Sequence, residues 1–424
     1  MKRVLLLLPT TGYRNGDFLA AAEKLGVEIV SAANYCHQLA PAWGLAPIMA
    51  LHFDRPEQAA DTVLRETALR HPGGPPDAVL AVDDSGVELA ALLAERLGLP
   101  GNPLAAVRRV RDKLVFRQLL EEQGFLCPEF HALPSGRDPR SLVPELTFPV
   151  VVKARRLSAS RGVIRADDAG AFVRAVHRVR AIQSRADRDA EALGLVIESF
   201  IAGGEYALEG MLERGELAPL ALFDKPDPLD GPYFEETIYV TPSRLPQALQ
   251  DRIRQEVARV CRVAGLTDGP IHAEMRVNPR GVWLLEVAAR SIGGLCGRVL
   301  GHSLGMTLEE LILRRVVGEP LRAPGEGGAA GVMMMPIPRR GIYHGVEGLA
   351  AAQSVPGVTE VTMGAEPGQM VAPPPDGSGY LGFIFSLAPG PAEAEHALRA
   401  AHRRLQFDIR PEYPATRSPA AAGR

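Results

Sequence analysis

Cysteine, lysine and long apolar runs are all scarce in this 424-residue chain, and each scarcity removes a class of explanation. Cys36, Cys127, Cys261 and Cys296 lie far apart with no C-x-x-C pair. Neither a disulfide framework nor a zinc site of the usual spacing is expected, and the thiols read as reduced. The apolar stretch 4–8 follows Lys2-Arg3 and stops at Pro9. It is too short for a signal h-region or a membrane span, so a cytoplasmic protein with no membrane partner is expected. Net charge is −3, and without a basic field no nucleic-acid partner is expected. Thr10-Thr11-Gly12, after the first apolar run, is not G-x-G-x-x-G, so a dinucleotide fingerprint is lacking. Among 47 basic residues the only lysines are Lys2, Lys24, Lys113, Lys153 and Lys225. A lysine that persists against such an arginine bias merits inspection, because a compact ammonium suits phosphate where a planar guanidinium does not fit.

What is present centres on residues 271–290, IHAEMRVNPRGVWLLEVAAR. Ala273, Met275 and Val277 alternate with His272, Glu274 and Arg276. After Asn278-Pro279-Arg280-Gly281, Trp283, Leu285, Val287 and Ala289 alternate with Leu284, Glu286 and Arg290. This predicts a β-hairpin with one apolar and one polar face. A three-residue loop, with Asn278 facing Val282, sets Glu274 opposite Glu286. Two carboxylates paired in this way sit about 5 Å apart and repel, so a divalent cation between them is expected. A four-residue loop would instead put them on opposite faces, and a solvated sheet face is the plain alternative. Arg290 shares the face of Glu286 and suits an anionic ligand.

The length allows two or three domains. Strands are expected at 4–8, 27–31 and 77–82 and helices at 17–25 and 87–97, an alternation that predicts a parallel sheet with helices on its faces. Asp83 and Asp84 end a strand where open α/β sheets place ligands, or else cap the next helix. One helix is expected over 108–123, carrying Lys113, and a Pro-, Ser- and Arg-rich boundary follows. Strand 148–153 delivers Lys153 into the small-residue stretch 157–162, which is either a flap over phosphates or an ordinary hairpin turn. A helix at 172–182 with a charged exit, strands at 195–201, 205–212 and 217–223, and a helix at 251–264 come next. Stretch 224–242, DKPDPLDGPYFEETIYVTP, reads as a loop lining a pocket. Its Glu235 and Glu236 with Tyr233, Phe234 and Tyr239 suit a small zwitterion or amine, or else pair with local arginines. A helix is expected at 307–317, a linker at 322–331, strands at 332–336, 358–363 and 380–387, a helix at 392–405, and a disordered tail at 411–424.

In order and spacing, residues 111–294 resemble the ATP-grasp superfamily. The stretches that carry the resemblance are RDKLVFRQLLEEQGFLCPEF, FPVVVKARRLSASRGV, VIESFIAGGEYALEG and HAEMRVNPRGVWLLEVAARSIGG. The resemblance implies α/β and α+β domains: a Rossmann-like N-terminal domain at 1–110, an ATP-grasp domain at 111–322 with a lid at about 145–204, and a C-terminal α+β domain at 331–410. It implies an ATP site in which Lys113, Lys153, Ser158, Ser160 and Gly162 face the phosphates. Adenine would meet the backbone of Ser199, Phe200 and Ile201 with Glu198 near its amino group, and Glu205 would meet the ribose. It also implies Mg²⁺ (or Mn²⁺) on Glu274 and Glu286 and Arg290 as the catalytic cation. Where the family commonly has an asparagine two residues after the second glutamate, this chain has Ala288; loss of that carbonyl ligand leaves one metal with an incomplete shell, for which a water or His272, opposite Ala288, could compensate, or else His272 is a satisfied structural residue.

E-V-A-A-R-S-I-G-G, the 224–237 loop and GIYHGVEGLAAAQSVPGVTEV look most like L-amino-acid ligases and related carboxylate–amine ligases. The implied reaction makes an acyl phosphate from a small carboxylic acid and couples it to an amine, with Glu235, Glu236, Ser291, Gly293 and Gly294 around the substrates. Glu235, Glu236 and Asp83 are the candidate bases. A carboxylase or ammonia-using ligase of the same superfamily, and a nucleotide-binding subunit with little catalysis, are the competing readings. The family plan is compatible with a homodimer.

Overall fold

The computed structural model describes residues 2–10, 12–34, 49–70, 74–186, 190–320, 325, 327–377 and 379–412. Cys36, Thr11 and nearly all of the expected tail lie outside the described residues. Within them, no helix is long and apolar enough to cross a membrane.

The N-terminal sheet is parallel, in the order Met49–Leu51, Glu28–Asn34, Arg3–Leu8, Ala78–Ala81. Every residue of Arg3–Leu8 is buried, as a central parallel strand covered on both faces requires. Helices Asn15–Leu25 and Val87–Leu97 end on left-handed Gly26 and Gly98. The short strand Met49–Leu51 and helix Pro56–Arg70 carried no alternation to announce them, although the proline at the helix start was a cue.

The helix expected over 108–123 is two helices, Leu104–Arg111 and Lys113–Glu122. Asp112 between them is extended, and its carboxylate accepts from the Leu114 N–H at 3.1 Å while Arg155 grips both its oxygens at 2.9 and 2.6 Å. An N-cap of this kind restarts the helix in a new direction. Lys113 thus begins a helix at the site instead of riding mid-helix.

A four-stranded antiparallel sheet, Phe130–Leu133, Leu195–Ser199, Val150–Ala154 and Val163–Ala166, packs on helix Ala169–Ala186. The expected charged exit from 183 is helical as far as Ala186, and Gln183 is buried. The largest sheet has eight antiparallel strands in the order Gly281–Ala288, Gly269–Asn278, Gly204–Glu213, Glu216–Lys225, Ile238–Thr241, Ala329–Met335, Gly382–Ala388, Val358–Met363. The stretch read as a pocket loop therefore contains a strand, Ile238–Thr241, which bridges to Ala329–Met335. The latter strand starts inside the expected linker. A single buried cluster joins Leu6 and Phe18 to Phe223 and Tyr239, and those to Ile312, Met334 and Phe383. All three regions therefore converge on one cavity.

Candidate active site

That cavity, of about 320 Å³, is lined by the ends of the N-terminal strands (Arg14, Asp83, Asp84), the flap (Lys153, Ser158, Ser160) and the central hairpin (Glu274, Glu286, Arg290). The hairpin turn has two residues, with Asn278 paired to Gly281 and Val277 to Val282. This corrects the three-residue loop. Such a turn alone would slide Glu274 opposite Leu285, but a bulge after Glu274 skips Leu285 and restores the pairs Glu274–Glu286 and His272–Ala288. The bulge also moves the apolar face. Val282, Leu284 and Val287 join the core with Ala273 and Met275, whereas Leu285 turns to the cavity. Arg117, fully buried, fixes the irregular backbone by donating to the Leu285 carbonyl at 2.9 Å.

Lys225, which had no role in the sequence reading, sits at the centre of the acidic cluster. Its Nζ lies 3.0 Å from Glu205, 2.5 Å from Glu236 and 2.9 Å from Glu274. Burial opposes its charge, yet the carboxylates of Glu236 and Glu274 hold it well above the usual lysine range. Burial and the Glu274 charge push Glu236 up to about 7 against the pull of Lys225. Glu274 moves the other way: burial raises it, and Lys225 and His272 together hold it well below the usual carboxylate range. Carboxylate oxygens of Glu205, Glu236 and Glu274 lie within 4.8 Å of one another. Lys225, Arg276 and His272 partner these carboxylates, and oxygens clustered this closely are the donor type that a hard divalent cation takes.

His272 contacts Glu209 through Nδ1 at 3.1 Å and Glu274 through Nε2 at 3.3 Å. Burial lowers its pKa, but hydrogen bonds to the two carboxylates outweigh it and bring the value up to about 9. With a carboxylate beside each ring nitrogen, His272 fits the reading of it as a satisfied structural residue.

Lys113 Nζ donates to the Leu157 carbonyl at 2.7 Å and lies 3.3 Å from Glu286. Lys153 lies 2.7 Å from Glu198, whose carboxylate also meets Arg117 at 3.0 Å. Glu198 is 2% exposed, lines the cavity and is the counter-ion of Lys153. Burial opposes its charge, but Arg117 and Lys153 bring its pKa down to about 2. The flap turns through positive φ at Ala159 (56°), Ser160 (54°) and Gly162 (67°). At Gly162 a Cβ would come within 3.0 Å of the Ala154 Cβ. At the hinge, the Ser199 and Phe200 N–H groups bond the Glu129 and Pro149 carbonyls. The Ile201 carbonyl accepts from Arg276 at 2.6 Å. Glu205 is shared between Lys225 and Arg276 Nε at 3.0 Å each.

Arg290 reaches back to Asp84, with Nε at 2.9 Å and Nη2 at 2.8 Å from Oδ2. Asp83 bonds the Ser85 N–H at 2.9 Å and hydroxyl at 2.5 Å, and burial raises its pKa. Ser291, Gly293 and Gly294 line the cavity together with Glu236, but Glu235 does not. It faces a separate recess between the flap and the 374–380 loop, where its Oε1 is buried without a hydrogen-bond partner among the described residues and burial raises its pKa. Tyr13, Cys296, Met334 and Tyr380 form an apolar wall beside Gly294. Of the residues to which the sequence gave no role, Lys225 stood out as a rare lysine, Arg117 was legible only as a charge in an apolar helix, and Arg14 and Glu209 gave no local signal.

Three family models match the chain: the ATP-grasp N-terminal domain over 19–101, the ATP-grasp domain over 146–299, and L-amino acid ligase C-terminal domain 2 over 333–410. Carnosine synthase 1 of Gallus gallus is 31% identical over 252 residues, covering 57% of this chain but only 27% of that protein. Alanine–anticapsin ligase of Bacillus subtilis (strain 168) is 24% identical, covering 69% of this chain and 65% of that protein. The crystal structure of L-amino acid ligase from Bacillus licheniformis superposes with a TM-score of 0.83 at 26% identity, covering 97% of this chain and 99% of that one. With the glutamate hairpin, flap and lysines assembled around one cavity and matching models at both flanks, the chain belongs to the ATP-grasp superfamily.

Proposed function

We propose that the chain is an ATP-dependent carboxylate–amine ligase that joins amino acids. The carrying observation is that Lys113, Lys153, Glu274, Glu286 and Arg290 line one cavity together with Gly293, Gly294, Cys296 and Met334. A carboxylate oxygen attacks the γ-phosphorus of ATP, ADP leaves, and the acyl phosphate is attacked by an amine with loss of phosphate. Lys113 and Lys153 neutralise phosphate oxygens and hold the chain in line. Adenine meets the hinge, where the Ile201 N–H has no partner among the described residues. Glu274 and Glu286 would hold Mg²⁺, which supplies neutralising charge to the phosphates when bound. Arg290, fixed by Asp84, stabilises the oxyanion of the tetrahedral species. The amine must lose a proton. Glu236, pushed up to about 7 inside the cavity, is the better-placed acceptor, whereas Glu235 faces elsewhere. Free Cys127, Cys261 and Cys296 suit a reducing compartment, and we place the protein in the cytoplasm.

The test is ADP and phosphate release with ATP and Mg²⁺ against pooled L-amino acids, and separately against simple carboxylates with ammonia or bicarbonate. Release that needs two amino acids and is abolished in Glu286→Gln supports the ligase. Release with one carboxylate plus ammonia or bicarbonate replaces it with the alternative chemistry. ATP binding without release under any condition favours a binding subunit.

A further inference from the structure

The loop after Arg290 is gripped from two sides by residues outside the ATP site. Arg14 precedes helix Asn15–Leu25 and is 4% exposed. Its Nη1 donates to the Ser291 hydroxyl and to the Ile292 carbonyl, both at 2.7 Å. Its Nε donates at 2.8 Å to Glu309, itself 2% exposed. From the opposite side the Ile292 N–H donates at 3.0 Å to Glu209, which is fully buried in strand Gly204–Glu213. Both backbone polar groups of Ile292 are therefore fixed by charged side chains, one from the N-terminal region and one from the large sheet.

We propose that Arg14 and Glu209 are positioning residues that lock the Ser291–Gly294 wall and, through it, the guanidinium of Arg290 against the substrate carboxylate. The inference rests on the ligase reading of the cavity. Gly293 and Gly294 give the loop little conformational preference of its own, and Gly294 is left-handed at φ 60°. External bonds must supply the order. Those to Ile292 are charge-assisted and shielded from water, where such bonds are strongest. Arg290 itself donates to the Ser291 carbonyl at 3.0 Å, so a peptide shift at 291–292 moves the cation directly. Glu209 also meets His272, which meets Glu274. The same carboxylate therefore ties the substrate loop to the metal-side glutamate, and Arg14 makes the N-terminal region part of the substrate site.

The experiment uses the full chain with Arg14→Lys and the double variant Arg14→Met/Glu309→Gln, which removes both buried charges and so avoids stranding Glu309. The double variant is expected to raise KM for the carboxylate substrate about tenfold or more while KM for ATP stays within about twofold, because small misplacements of a reacting group are costly. Arg14→Lys is expected to recover part of the loss. Amide exchange at Ile292, followed with ADP and Mg²⁺ present, is expected to quicken about tenfold or more in the double variant. Parallel rises in both KM values, no rise in either, or unchanged exchange at Ile292 would each overturn the proposal. Failure of the wild-type chain to release ADP with any amino acid would instead count against the ligase reading, and the exchange measurement would still decide whether the clamp exists.

Discussion

Arg117 donates to the carbonyl of Leu285 at 2.9 Å, at the bulge through which Glu274 stays opposite Glu286. The same guanidinium pairs with Glu198 at 3.0 Å, so one buried arginine serves the glutamate hairpin and, through Glu198, Lys153 of the flap strand together. Arg117→Met leaves a buried carboxylate short of a partner, a change that costs about 3–5 kcal/mol. A large drop in the urea midpoint is expected, with weaker Mg²⁺-dependent ATP binding in whatever fraction stays folded. A midpoint within error of the wild type would mean that the bulge stands without Arg117.

Acid should report on Glu198. Its folded pKa is about 2 against an ordinary value of 4.5, so its contribution is fully present above the ordinary value and is lost as pH falls from there through about 2. The full shift corresponds to about 3 kcal/mol as an upper bound. Glu198→Gln should be the less stable protein at pH 7, and the two proteins should converge in stability towards pH 2. Parallel pH curves in urea titrations would show that Glu198 does not carry this linkage.

Lys225 and the proposed Mg²⁺ would share the carboxylate of Glu274. Lys225→Met removes the ammonium that lies within 3.0 Å of Glu205, Glu236 and Glu274, while Glu205 keeps Arg276 and Glu274 keeps His272. The variant is expected to have a lower Tm than wild type in chelator, and a larger Tm rise on adding Mg²⁺. Equal Mg²⁺ responses in both proteins would separate the cluster from the metal.

How far the sequence reached follows from the range of the interactions. Period-two alternation, Gly26 and Gly98 as helix stops, and the buried strand at Arg3–Leu8 were legible because local sequence decides them. The pairing of Glu274 with Glu286 was also anticipated, although by two departures that cancel: a shorter turn and an unforeseen bulge. No local rule announces that bulge, because Arg117, which stabilises it, lies 168 residues away from Leu285. The break at Asp112 was hidden for the same reason, since Arg155 from the flap strand completes it. Lys225 stood out as a rare lysine, but its three partners come from separate strands and a loop. Glu198 and Glu235 were nameable as acids, while their surroundings, an ion-paired core for one and a side recess for the other, belong to the tertiary fold.

Ala288 is the position where the chain departs from the pattern it otherwise follows. It pairs with His272, and its side lines a small recess with Asp84, Lys113 and Glu286. His272 opposite it lies between the carboxylates of Glu209 and Glu274. Ala288→Asn adds a carbonyl oxygen beside Glu286. Supporting groups around a metal are worth about tenfold to a hundredfold in affinity, so Mg²⁺ is expected to bind about tenfold more tightly in the presence of ADP. Ala288→Leu, which fills the recess without an oxygen, should not tighten binding. Titration calorimetry of both variants separates the outcomes. A gain in both would mean that packing around Glu286 is at work, and a loss in Ala288→Asn would mean that this site holds its metal without a ligand from position 288.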